Sequence, residues 1–200
     1  MTSVQNRCIN RRYILSSKSF KNQLQSLANQ AKAGKVLISF DDGLEDNYTV
    51  AKSILDEFDL KATFFVSTGL IGENGYMSFD MIEELKSDGH RIGGHGHKHI
   101  NYLVSNRDEI MKDLNLCFDY LSKELKEKNP WFSYPFGGRN PYTDKICRDL
   151  GFKILFSSSL GSFAELNELS VIPRIEVWNS DTIMTLKRKI QGKYNWLNKF

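Results

Sequence analysis

Histidine, cysteine and proline are all scarce in this chain, with 4, 3 and 4 copies among 200 residues. Cys8, Cys117 and Cys147 are odd in number and widely spaced, which excludes a disulfide framework and a zinc knuckle. No run approaches the roughly 18 apolar residues that a bilayer-spanning helix needs. Positions 1–12 are polar, carry Arg7, Arg11 and Arg12, and lack the apolar stretch of a secretory leader. The expected setting is therefore the reducing cytoplasm. A formal net charge of +3 is too small to argue for nucleic acid, and no aromatic-plus-basic stacking pattern supports that partner. Internal repeats and low-complexity segments are missing as well.

What remains is an ordinary globular composition, 40% hydrophobic and 26% charged, on a length that suits one domain. Phe20, Leu24, Leu27 and Ala31 recur at helical spacing over 18–32, and Gly34 is a natural stop. Val36-Leu37-Ile38 sits in a short buried-strand pattern over 35–40. Further strands are expected at 62–66, 91–93, 131–134, 153–156 and 171–175. Helical patterns occupy 47–58, 78–87, 107–125, 141–150 and 181–190. Such alternation predicts a parallel α/β architecture. In that class sites are built at the carboxyl ends of strands.

The chemistry-bearing residues fall at those ends. Ser39-Phe40-Asp41-Asp42-Gly43 closes the first strand pattern with two adjacent carboxylates. Neighbours at a strand end point in different directions, so one carboxylate can ligate a metal while the other serves as a base. Capping of the next helix explains the pair equally well. His95-Gly96-His97-Lys98-His99 places two imidazoles four residues apart, a spacing suited to a shared ion. Its glycines argue for a loop. His97, between the two presumed ligands, is expected to point elsewhere, and His90 reads as a surface residue. Phe132-Ser133-Tyr134-Pro135-Phe136-Gly137-Gly138 offers a turn at which a main-chain N–H can face an oxyanion, or simply a strand-to-helix connection.

Together these three segments resemble the polysaccharide deacetylases of carbohydrate esterase family four, the NodB-type homology domain. The likeness runs over 35–177 and includes Lys61-Ala62-Thr63-Phe64-Phe65-Val66. The resemblance implies an irregular (β/α)7 barrel over 35–200, with 1–34 as a helix-bearing segment packed on the same domain. It implies Asp41 as catalytic base and Asp42, His95 and His99 as ligands of a divalent ion, Zn²⁺ first, with Co²⁺ or Ni²⁺ as alternatives. It also implies oxyanion stabilisation by the Phe136 N–H and substrate contact at Tyr134, Pro135 and Gly137. The implied activity is removal of acetyl groups from N-acetylated amino sugars of a polysaccharide or glycan intermediate.

Two departures stand out. The Arg that the family usually carries in its third motif is missing, and Arg174 in Pro173-Arg174-Ile175 is the candidate replacement. The family's late Leu-x-His, the usual proton donor to the leaving amine, is also missing, since no histidine follows His99. An impaired relative acting as a carbohydrate-binding module is therefore the alternative. Two His and one carboxylate also match non-haem iron oxygenases, but strand–helix alternation argues against their all-β scaffold. Lys187, Arg188, Lys189, Lys193 and Lys199, with Trp196, Leu197 and Phe200, suggest peripheral membrane contact, or a solvated helix end.

Overall fold

Capping residues and apolar periodicity set most element boundaries in the computed structural model, which describes residues 15–159 and 171–194. Helix α1 (Ser17–Lys32) starts where the Ser16 hydroxyl accepts from the Ser19 N–H, and it buries Leu24 and Leu27. Strands β1 (Ser39–Phe40), β2 (Thr63–Val66), β3 (Arg91–Gly94), β4 (Trp131–Ser133) and β5 (Ile154–Phe156) lie side by side in chain order, every pair parallel. Sequential parallel strands require a crossover after each, and helices supply them. They are α2 (Ser53–Glu57, entered through a π-helical stretch Asn47–Lys52), α3 (Phe79–Ser87), α4 (Arg107–Asp119) and α5 (Pro141–Leu150). Helix α6 (Ile183–Ile190) closes the order. The result is a half-barrel of the (β/α) type.

Caps agree with the sequence. Asn106 and Glu109 form a capping box on α4, Asn140 and Thr143 form one on α5, and Gly151, at φ 107°, ends α5. Every residue of β2 is buried: Phe64 joins Ile92, Phe132 and Leu155 in the core, while Phe65, on the other face, meets Phe156 with ring centres 5.2 Å apart. The Phe20 ring of α1 stands edge-on to Phe40, 5.7 Å away, which seats α1 on the sheet.

Four expectations change. The first strand is only Ser39–Phe40, because Leu37 stands 53% exposed and does not join the sheet. The segment at 171–175 is a single parallel bridge, Phe156 to Ile172, and not a strand. Its chain still runs along β5, with Ile172 N–H donating to Leu155 O and Arg174 N–H to Ser159 O. The seven expected βα units are five strands among the described residues. His90 is not a surface residue. It is 5% exposed, its Nδ1 accepts from the Ala62 N–H at 3.1 Å, and its ring stands edge-on to Phe64. Cys8, the rest of the expected segment before residue 15, and Trp196, Leu197, Lys199 and Phe200 lie outside the described residues.

Candidate active site

Directly after β1 the chain passes through two left-handed residues, Asp42 at φ 74° and Gly43 at φ 80°. A Cβ at Gly43 would stand 3.1 Å from Val66 Cγ1, so glycine is required by both the turn and the close approach to β2. This turn sends the two carboxylates to different partners.

Asp42 meets the histidine loop that follows β3. Its Oδ1 lies 3.3 Å from His95 Nε2 and 3.0 Å from His99 Nε2. One ligand atom from each of the three residues falls within 4.8 Å of the others. His95 is buried, and its Nδ1 donates to the Ser133 carbonyl at 2.8 Å, which turns Nε2 towards Asp42 and His99. His99 sits at φ 55°, with its ring 4.6 Å from that of Phe136. Two imidazole nitrogens and one carboxylate oxygen, with the tautomer fixed by a carbonyl, are a donor set that fits a catalytic zinc-type ion and leaves coordination positions open.

Asp41 takes the other direction. Arg174 Nη1 donates to Asp41 Oδ1 at 2.7 Å and Nη2 to Oδ2 at 2.6 Å, a two-pronged contact. The remaining guanidinium donors are used too: Nη2 bonds Ser133 Oγ at 2.7 Å, Nη1 bonds Ser39 Oγ at 3.2 Å, and Nε bonds Ser157 O at 3.2 Å. Ser133 Oγ passes its own proton towards Asp41 Oδ2 at 3.2 Å.

The electrostatics follow from these contacts. Burial works against ionisation of Asp41, but Arg174 and then His95 outweigh it and hold the carboxyl below its ordinary value. Burial likewise opposes ionisation of Asp42, and hydrogen bonds from His95 and His99 overcome it by a wide margin. Burial pushes His95 down, while Asp41 and Asp42 more than reverse this and raise it.

The third segment enters as a short 3₁₀ turn, Pro135–Gly137. Phe136, at φ 57° and 67% exposed, presents its ring to the site, and Gly137, at φ 65°, passes close to Ser158. Tyr134 does not contact a substrate through its side chain. It is fully buried, packs against Tyr102 and Phe132, and burial drives its hydroxyl far from ionisation. Pro135 is buried too. His97 points away from the metal set, with Nδ1 3.0 Å from Thr68 Oγ1. Ser133 and Asp113 border the site as well. Only Asp113 left a signal, a carboxylate inside the apolar stripe Ile110, Leu114, Cys117 of α4.

The family model described as polysaccharide deacetylase matches residues 28–155. The chain belongs to the polysaccharide deacetylase family. A poly-beta-1,6-N-acetyl-D-glucosamine N-deacetylase of Staphylococcus aureus is 32% identical over 155 residues, covering 70% of this chain and 53% of that protein. The chain thus spans about half the length of the curated relatives it matches. Two solved structures share the fold. The Streptococcus pyogenes deacetylase PplD in complex with acetate has a TM-score of 0.79 at 24% identity, covering 95% of this chain and 93% of that one. IcaB from Ammonifex degensii has a TM-score of 0.75 at 23% identity, covering 90% and 94%. In this member of the family the charge partner of Asp41 arrives from the segment beside β5 and not from the segment after β4.

Proposed function

We propose that this chain hydrolyses the N-acetyl groups of amino sugars in a polysaccharide or glycan intermediate. Asp42, His95 and His99 would hold a divalent ion, zinc first, with cobalt or nickel as substitutes. A divalent ion at such a site polarises a carbonyl and lowers the pKa of water towards about 7. One observation carries the reading: the Arg174 fork on Asp41 keeps a partly buried carboxylate ionised beside a ready ligand set, with Asp41 Oδ2 only 4.0 Å from His95 Nε2. Asp41 then accepts the proton of the attacking water, and Arg174 and Ser133 keep its oxygens aimed. The Phe136 N–H supports the oxyanion, and its exposed ring borders the place where a sugar would lie. Addition of water across the amide releases acetate and leaves the free amine on the sugar.

Family membership and the named activity of the staphylococcal relative support this reading. Peripheral contact with an anionic membrane belongs to it through the exposed Lys187, Arg188 and Lys193. Lys189 takes no part, since it is buried against Asp181.

Acetate release tests the reading. The protein is stripped with chelator, reloaded with Zn²⁺, Co²⁺ or Ni²⁺, and offered β-1,6-linked N-acetylglucosamine oligomers and O-acetylated controls. Release from the N-acetylated oligomers by the reloaded form alone is expected. Oligomer binding without release under every metal would favour the carbohydrate-binding module.

A further inference from the structure

The loop that carries both histidines is irregular, and regular structure does not hold its shape. Between β3 and α4 it turns through Gly96 at φ 73° and His99 at φ 55°, and the second is a conformation that a residue with a side chain adopts only when its surroundings impose it. One carboxylate gathers the middle of this loop. Asp113, on the inner face of α4 and 4% exposed, accepts from the His97 N–H at 2.9 Å and the Tyr102 hydroxyl at 2.7 Å on Oδ2, and from the Lys98 N–H at 2.7 Å on Oδ1. All three donors belong to the stretch 97–102. The loop is wrapped closely around this carboxylate, for a Cβ at Gly96 would stand 2.8 Å from Asp113 Oδ2 and 2.8 Å from Tyr102 Oη. On the opposite side, Thr68 N–H donates to Gly96 O and Gly69 N–H to His97 O, which fixes the loop from the turn after β2 as well.

An ionised group on an apolar helix stripe is unfavourable unless its acceptors are filled. Helix α4 needs no carboxylate there for its own packing, because Ile110, Leu114 and Cys117 already bury that face. What Asp113 adds is a partner for two consecutive loop amides, those of His97 and Lys98, which lie between the two imidazole ligands.

We propose that Asp113 is a positioning residue of the metal site: its carboxylate shapes the 95–99 loop so that both imidazoles converge on Asp42, and metal affinity depends on it. The inference rests on the reading of Asp42, His95 and His99 as a metal set, and its test is separate from catalysis. Asp113→Asn preserves size but sets an NH₂ group against donors that now face an oxygen. Zn²⁺ affinity, measured by competition with a chromophoric chelator on protein shown to be folded, is expected to fall about 10- to 100-fold. Hydrogen exchange of the His97 and Lys98 amides in metal-free protein is expected to be slow in the wild type and fast in the variant. A variant that melts at lower temperature but binds Zn²⁺ within about twofold of the wild type would show a merely structural role and overturn the proposal. If Asp113→Asn does not fold, the wild-type amides decide: fast exchange at His97 and Lys98 refutes the proposal, and protection supports it. Wild type that binds Zn²⁺ but releases no acetate would count against the deacetylase reading alone.

Discussion

Among the described residues, five without a glycine's freedom have positive φ, and three of them, Asp42, His99 and Phe136, stand in the candidate site. Each such conformation costs of order 1–3 kcal/mol and persists only where neighbours impose it. In the proposed reaction the residue on which Asp41 leans hardest is Arg174. Its removal leaves the Asp41 carboxylate opposed by burial, with His95 and Ser133 as its remaining support. Because Arg174 lowers the Asp41 pKa, Arg174→Gln should raise it, so the base is protonated at pH values where the wild type is ionised. The acid limb of the kcat profile should therefore move to higher pH, and kcat should fall about 10²-fold or more with KM little changed. An unshifted limb would separate Arg174 from the chemistry. Asp41, Asp42, His95 and His99 were legible because residue type and close spacing carry their meaning locally. The Arg174–Asp41 contact spans 133 positions, and only the resemblance pointed to it. Tyr134 misled because a motif does not state which way a strand-end residue faces: Ser133 looks into the site and Tyr134, one residue on, into the core.

At the scale of elements, the segment 171–181 is a strap that delivers Arg174, and α6 and α1 hold it down. Lys189 of α6 donates to Asp181 Oδ2 at 2.6 Å and to Glu176 O at 2.9 Å, with its ammonium 4.3 Å from the Trp178 ring centre. Gln23 of α1 donates to the Trp178 and Asp181 carbonyls. The Lys189 and Asp181 side chains are only 9% and 4% exposed, so removing one partner strands a buried charge. Lys189→Met should lower unfolding stability in urea by about 3–5 kcal/mol, and adding Asp181→Leu should restore a large part of it. Equal losses in the single and double variants would show that the pair does not act as a unit. Helix starts in this chain are set by caps such as Ser78, Asn106 and Asn140. The strap was not legible in the sequence, since it makes only a single bridge to β5 and its anchors come from both ends of the sequence.

For the whole molecule, strand–helix alternation was enough to foresee parallel strands with chemistry at their carboxyl ends. The number of strands and the closure of the barrel depend on long-range pairing, which local pattern does not encode. Burial of His90 was equally hidden, and it has a consequence for the pH dependence of stability. Burial, followed by Lys61, lowers its pKa below the ordinary 6.5. Above about pH 6.5 the ring is neutral in both folded and unfolded chains. Below that value the unfolded chain binds a proton that the folded protein refuses, so stability falls with pH. His90→Asn keeps an acceptor for the Ala62 N–H without the titration. Between about pH 7.5 and about pH 5.5, metal-free wild type should lose up to about 1.4 kcal/mol more than this variant in urea unfolding. Parallel losses would mean that His90 is protonated in the fold. The central claim, that Asp41 is the base of a metal-dependent deacetylase, is tested most directly by acetate release from N-acetylated oligomers with Zn²⁺-loaded wild type and Asp41→Asn at matched metal content. The account predicts release by the wild type and a loss of about 10²- to 10⁴-fold in the variant. Equal rates in the two proteins would contradict it.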